Sequence, residues 1–344
     1  MYRMLLPKSI DGAELELATF FEVIRALAEG DASAAWCVVQ SSGCSFAAAY
    51  LDPAAAREIF GGARDVLAWG FPGGPNCRAE PVDGGWKVNG MWNFGSGSRH
   101  ATWLGGHCHV PGSERTMLFP RSCAQIKHDS WNVVGLRGTG SDSYSVTDLF
   151  VPAGQSVVAR AAGRDIGGGE EPERRERGML YRFTATNVFQ TGFAAVSLGI
   201  ARAMLDDFVQ LAQKKAPAAG GGTMRDSHWI QSRVALAEAK LGSARAFILQ
   251  TLGEMREECS AKGRIGIENR IRIRLASTYA ISLAREVAET AYVDAGATAI
   301  FEGNRFERRF RDMHAATQQV QASAVHFQTA GQYYLGLEPN LRFV

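Results

Sequence analysis

The chain has 344 residues, 46% of them hydrophobic and 21% charged, with a formal net charge of +2. So even a balance of charge gives no electrostatic footprint for nucleic acid or a membrane surface, and the length allows two or three subdomains around a large core. Six cysteines (Cys37, Cys44, Cys77, Cys108, Cys123 and Cys259) lack CxxC spacing, which argues against a disulfide framework or a zinc site and for reduced thiols in the cytoplasm. No uninterrupted apolar run approaches the length of a membrane span. Met1-Tyr2-Arg3-Met4 is not followed by a signal-peptide core, so a soluble, intracellular protein is expected.

Residues 1–65 read as a helical segment. Asp31 is placed to cap a helix through Ala34-Ala35-Trp36-Cys37-Val38-Val39, and Asp52-Pro53 reads as a cap with proline in the first turn of a short helix. Over 66–155 the helical period gives way to glycines, prolines and short β-branched runs such as Ser145-Val146-Thr147, the pattern of a compact β-barrel or sandwich. Within it, Gly84 to Gly97 reads as a strand, a tight Asn89-Gly90 turn and a second strand. That second strand ends in small and hydroxyl residues that admit a flat ligand, with Trp92 and Phe94 as apolar walls. Residues 156–186 form a linker whose glycine-rich, charged stretch Gly163 to Arg177 is expected to be an exposed excursion. From 187 to 344 helices are predicted at 187–215, 226–262, 266–296 and 305–337, in a four-helix bundle. Asp226 is the expected cap of the second helix, and Arg270, Arg272 and Arg274 are expected mostly on solvated or subunit-contact faces. Gly220-Gly221-Gly222 lacks the lysine and hydroxyl of a phosphate loop.

Helices, then a β-domain, then a four-helix bundle resembles the acyl-CoA dehydrogenase superfamily, an α+β fold. The residues that carry the resemblance are the Asp83-to-Gly97 segment, Gly135-Leu136-Arg137-Gly138-Thr139-Gly140-Ser141 with Leu149-Phe150-Val151-Pro152, and Gly303 to Asp312. Relatives carry some tens of additional helical residues before the equivalent of Leu5-Leu6-Pro7. The resemblance implies flavin bound between the β-domain and the bundle, and a homotetramer with the bundles at its centre.

Two chemistries compete within the superfamily. Trp92-Asn93-Phe94-Gly95-Ser96-Gly97, continued to Ala101 and Trp103, is similar to the W-x-F-x-S-G-x-x-x-A-x-W pattern of the hydroxylase branch. Those two-component monooxygenases take reduced FMN or FAD from a separate reductase. They form a C4a-hydroperoxide and hydroxylate an aromatic or polycyclic small molecule. On this reading Trp92, Phe94, Gly95, Ser96, Gly97, Arg137, Gly138, Thr139, Gly140 and Ser141 line the flavin, with Ser96 near N5 as preorganised support. Arg182 and Arg311 are candidates for its phosphate, though ion pairing is the ordinary expectation for both.

The dehydrogenase reading rests on Ala299-Ile300-Phe301-Glu302-Gly303-Asn304, where relatives carry a catalytic carboxylate; Glu302 would then be the base, unless it caps or pairs near the next helix. Gly70-Phe71-Pro72-Gly73-Gly74-Pro75-Asn76 lacks the acid and hydroxyls that dehydrogenases show there. Many hydroxylases place a histidine eight residues after the arginine of an Arg-Asp pair. Here Arg311-Asp312 is followed at that position by Gln319, which cannot titrate, so His314, His100 and Glu302 remain as candidate bases. His314 is expected to share a helix face with Gln318. Trp229 and Phe193 are read as core residues or channel walls. The remaining histidines have no metal-ligand spacing, so no metal is expected. A third reading, supported only by Gln319 and the short front, is a member that binds flavin without turnover.

Overall fold

The computed structural model describes residues 1–161, 174–216, 220, 222–341 and 343–344. Most of the expected Gly163-to-Arg177 excursion, and Gly221 of the glycine loop, lie outside them. Its described end is docked rather than free: the Arg175 amide reaches Ala49 O at 2.8 Å and Arg174 Nε donates to the Tyr50 hydroxyl at 2.9 Å.

Three helices come first, α1 (Leu17–Gly30), α2 (Ala32–Ser45) and α3 (Pro53–Phe60). Asp31 separates the first two. Its extended backbone ends α1, and its carboxylate accepts the Ala34 amide at 2.9 Å to open α2. Pro53 opens α3 as expected, but Asp52 makes no cap bond and pairs with Arg175 at 2.8 Å instead.

Nine strands follow: β1 (Leu67–Trp69), β2 (Phe71–Pro72), β3 (Arg78–Val82), β4 (Gly85–Gly95), β5 (Trp103–Val110), β6 (Ser113–Pro120), β7 (Gln125–Lys127), β8 (Asp142–Pro152) and β9 (Ser156–Ala161). They form one sheet in the order β7-β8-β4-β3-β5-β6-β9, with β1 added beside β5 and β2 beside β4. Among the described residues its two ends do not pair, so the expected closed barrel is an open sheet, and it runs past residue 155 to Ala161. It still wraps one core: Trp92 of β4 is fully buried, 5.6 Å from the Tyr144 ring of β8 and 5.9 Å from Phe119 of β6. Gly106 leaves room for that indole, since a Cβ there would stand 2.1 Å from it.

The Asn89-Gly90 turn is not formed. The hairpin turns at Asp83-Gly84, where Gly84 takes φ 72°, and Val82 pairs with Gly85. Both dipeptides carry the same local signal. The Asp-Gly turn leaves an unbroken 11-residue β4 that buries Val88 and Trp92 together. Asn89 instead staples a bulge against β8: its amide nitrogen reaches Asp148 Oδ1 at 3.1 Å, and its oxygen accepts the Asp148 amide at 2.9 Å.

The C-terminal helices are α4 (Ala185–Ala212), α5 (His228–Lys262), α6 (Ile267–Ala295), α7 (Arg305–Ala316) and α8 (Val325–Tyr334). Thr184 and Asn187 close a capping box at the start of α4. This helix is long and apolar enough by composition to cross a membrane, contrary to the reading of the sequence, yet 89% of its apolar window is buried within the fold. Gly192 lets it lie against α2, because a Cβ there would meet Val39 Cγ1 at 2.6 Å. Ser227, not Asp226, precedes α5, and Asp226 completes a capping box with Thr223 one turn earlier.

The predicted helix 305–337 is broken at Thr317. The Thr317 hydroxyl donates to His314 O at 3.1 Å, and Gln319, in extended backbone, accepts the Gln321 amide with its own side chain at 2.8 Å. Gln318 therefore does not continue the His314 face. Arg274, expected on a solvated or subunit-contact face, is fully buried, and Arg272 pairs with Glu254 at 2.7 Å.

Candidate active site where the sheet meets the helices

At the end of β4 the backbone turns over Ser96-Gly97-Ser98, and this turn is sewn to the loop before β8. Trp36 Nε1 of α2 donates to Ser96 Oγ at 3.1 Å, Ser96 Oγ meets Ser141 Oγ at 2.7 Å, and Ser141 Oγ meets Thr139 Oγ1 at 2.7 Å. Thr139 Oγ1 then donates to Leu136 O at 2.8 Å. The Gly97 amide donates to Thr139 O at 3.1 Å and Ser98 Oγ to Gly140 O at 3.3 Å. Leu136 and Gly140, at φ 53° and 49°, bend the loop at both ends. Two segments distant in sequence thus form one buried row of hydroxyls.

Aromatic rings surround the row. Trp36 packs on Phe193 of α4 with ring centroids 4.2 Å apart. Phe94 sits in left-handed backbone at φ 59° and is 59% exposed, edge-on to Trp131 at 6.0 Å. Beside Gly97 lie the buried, unpartnered hydroxyl of Ser41 and the ring of His100. His100 Nε2 meets the Tyr2 hydroxyl at 2.8 Å, and desolvation holds its pKa below the usual imidazole value.

Helix α7 fixes the loop from the other side. Asp312 accepts the Leu136 amide at 2.6 Å, and Arg311 Nη1 donates to Val134 O at 2.7 Å. Burial raises the Asp312 pKa, opposed by that amide and by Arg308. At the base of β8, the fully buried Asp142 holds Arg99 through two bonds of 2.7 and 3.1 Å.

Residues 191–324 match the family described as the acyl-CoA dehydrogenase C-terminal domain. The indole-3-acetate monooxygenase of Pseudomonas putida is 34% identical over 98% of this chain and 85% of its own length. The chain belongs to the flavin-dependent monooxygenase branch of the acyl-CoA dehydrogenase superfamily. Within it, the oxygenase subunit HsaA of Rhodococcus jostii is 28% identical over 91% of this chain and 82% of that protein. The solved structure of XiaF from Streptomyces, in complex with FADH2 and glycerol, shares the fold at TM-score 0.87 and 24% identity, over 98% of this chain and 86% of that one.

Seen as a monooxygenase of this branch, the chain places its predicted site residues unevenly. Gly95, Ser96, Gly97, Thr139, Gly140 and Ser141 meet, with exposed Phe94, Arg137 and Gly138 at their rim. Trp92 does not join them, because alternation along β4 turns it into the sheet core. Arg311 is committed to Glu307 at 2.7 Å and to the Val134 carbonyl, and Arg182 to Gly263 O at 3.3 Å. Exposed Glu302 caps nothing: Asn304 is the N-cap of α7 and Glu307 accepts the Gly303 amide at 3.3 Å. Arg308 and Arg309 pair with Asp31 and Asp207 rather than with Glu302, and Arg305 lies 3.6 Å from Asp207. His314, two residues from Asp312 and so roughly 200° around the helix, faces α6. Its ring lies tilted against Phe310 with centroids 4.2 Å apart, and its Nε2 is 3.6 Å from Glu289. Gln319 holds its own turn, with Nε2 buried and unpartnered. Trp229, expected in the core or on a channel wall, is exposed beneath Arg233.

Reading the sequence missed Trp36, Trp131 and Asp312 as site residues. A lone tryptophan among Ala34, Ala35 and Cys37 was the available signal for the first; nothing local marked the partner of Asp312. A cavity of about 400 Å³ opens elsewhere, between α1, α5 and the turn before α4, and none of its lining residues belongs to the hydroxyl row.

Proposed function

We propose that the chain is the oxygenase component of a two-component system that receives reduced FMN or FAD from a separate reductase and hydroxylates an aromatic small molecule. Ser96 carries this reading: a buried hydroxyl held by Trp36 and Ser141 beside aromatic rings, a glycine backbone and the orphan Ser41 hydroxyl. A planar heterocycle with N–H and carbonyl groups fits that donor and acceptor set. Bound there, reduced flavin supplies activation of dioxygen and transfer of one oxygen atom to an electron-rich ring. Ser96 and the 136–141 loop hold the flavin ring, Phe94 and Trp131 flank it, and exposed Arg137 meets its phosphate. Trp36 and Phe193 offer an apolar wall to the aromatic substrate. His100, exposed beside Gly97 with its Nε2 on the Tyr2 hydroxyl, is the histidine placed to accept the proton that a phenolic or indolic substrate gives up. Exposed Trp229, Val293, Ile300 and Phe301 give the bundle apolar surface for self-association, in keeping with a homotetramer.

Glu302 as a dehydrogenase base is the weaker reading, since an exposed carboxylate lacks the burial that would raise its pKa toward neutrality. The test is anaerobic titration with reduced FMN and FAD, followed by oxygen and an aromatic acid such as indole-3-acetate. Reduced flavin binds at micromolar concentration and an oxygen atom enters the ring; Ser96→Ala weakens binding roughly tenfold and diverts oxygen to hydrogen peroxide. No binding of reduced flavin, or bleaching of a bound FAD by an acyl-CoA, overturns the proposal.

A further inference from the structure

The hydroxyl row has a direction. An indole N–H only donates, a peptide carbonyl only accepts, and each hydroxyl has one proton to give. With Trp36 at one end and Leu136 O at the other, all four contacts are hydrogen bonds only if every proton points the same way. Trp36 donates to Ser96, Ser96 to Ser141, Ser141 to Thr139, and Thr139 to Leu136 O. Ser96, Thr139 and Ser141 are each at most 5% exposed, so the row has little access to water that would offer other partners.

From this we infer that Thr139 and Ser141 are positioning residues that lock Ser96 as a hydrogen-bond acceptor, so that the site selects reduced over oxidised flavin. The inference rests on the proposed placement of flavin against Ser96. The single Ser96 proton is committed to Ser141 and one lone pair to Trp36, which leaves one lone pair for the proposed ligand. Reduced flavin carries an N–H at N5 and satisfies it; oxidised flavin presents a lone pair there and does not. For Ser96 to donate to oxidised N5 the row must reverse. Reversal keeps the hydroxyl contacts but abandons the bond from Thr139 Oγ1 to Leu136 O, which retains the Thr139 amide at 3.1 Å and Trp131 Nε1 at 3.2 Å. The row thus favours the reduced form by roughly fivefold, the ratio set by one net hydrogen bond. For a two-electron couple that is a midpoint shift of about 20 mV. Such a site takes reduced flavin from a reductase and lets go of the oxidised form.

The experiment measures dissociation constants for reduced flavin, anaerobically, and for oxidised flavin, together with the midpoint potential of the bound couple. Thr139→Val frees the row to reverse, and the reduced-to-oxidised affinity ratio falls roughly fivefold, while Thr139→Ser restores it. Ser141→Ala, a second route to the same end, releases the Ser96 proton and lowers the ratio likewise. If Ser96→Ala weakens reduced-flavin binding but neither Thr139→Val nor Ser141→Ala moves the ratio or the potential, the polarity inference is overturned and the site stands. If Ser96→Ala leaves the binding of both forms unchanged, flavin does not meet Ser96 and both readings fail together.

Discussion

Two buried polar clusters tie the ends of this fold together, and they differ in what they leave unused. In the C-terminal cluster Arg274 donates from Nε and Nη2 to Phe343 O and from Nη1 to Gln321 Oε1 at 2.5 Å, while Arg270 reaches Val344 O at 2.6 Å. His326 lies alongside and donates from Nε2 to Val320 O at 2.8 Å; desolvation, then the charge of Arg274, pushes its pKa down to about 4. Each of these bonds runs from a nitrogen donor to a carbonyl or amide oxygen that only accepts. The cluster holds a charge inside the protein, and what it leaves unused is a donor, the buried Nε of Arg270. The row through Ser96 is neutral and directional, and each of its three hydroxyls donates once, accepts once and keeps one lone pair unused. Burial by itself does not mark a site; what separates the two is that the row leaves acceptors unused and the C-terminal cluster leaves a donor unused.

The comparison is broken most severely by Arg274→Met, which removes the donors to Phe343 O and to Gln321 Oε1. A loss of about 3 kcal/mol in denaturant stability is expected, with the flavin affinity ratio unchanged; unaltered stability would show that the cluster is ornamental. Next in size is the pH dependence of the same cluster. The folded-state pKa of His326 lies near 4, below its ordinary 6.5, so the unfolded chain takes up the proton first. Stability is complete above about 6.5 and is lost as pH falls toward 4, by up to about 3 kcal/mol. His326→Gln flattens this profile, and urea midpoints measured from pH 7 to pH 4 in both proteins decide the matter.

On the other side of the comparison, Asp312→Ala removes the acceptor for the Leu136 amide and loosens the 136–141 loop. It lowers stability by about 2 kcal/mol and weakens reduced-flavin binding, whereas Asp312→Asn keeps an acceptor and most of both. Equal effects of the two substitutions would mean that charge, not the hydrogen bond, fixes the loop. The smallest change is expected from Glu302→Gln, where hydroxylation stays within about twofold of the parent because the side chain is exposed.

Local signals were read correctly at Asp31 but not at Asp52, which makes no cap bond, or at Asp226, which caps the turn before α5. Asp31 caps α2 because its carboxylate needs only the amide three residues on. The glycine-rich loop at 135–141 and the Ser96 turn stood out as motifs, and both belong to the hydroxyl row. Competition between equivalent signals was not legible. Asn89-Gly90 and Asp83-Gly84 are both good turns, and the choice fell to strand pairing with β8 and to the burial of Val88 and Trp92. Trp92 was misplaced for a related reason: alternation along a strand gives two faces but does not say which one the protein covers. Helix continuity after Ala316 failed on side-chain competition, since Thr317 and Gln319 satisfy backbone groups that a longer helix would have used.

The order of helices, strands and bundle follows from periodicity and caps within short stretches of chain, and the superfamily and the residues proposed to meet a flavin come from the resemblance of motifs along it. Which of those residues touch one another was decided only when α2 and α7 packed against the sheet, bringing Trp36 to Ser96 and Asp312 to Leu136 across 60 and 176 positions. Hydrogen-bond direction depends on what stands at both ends of a row, and those ends come from separate elements of the fold.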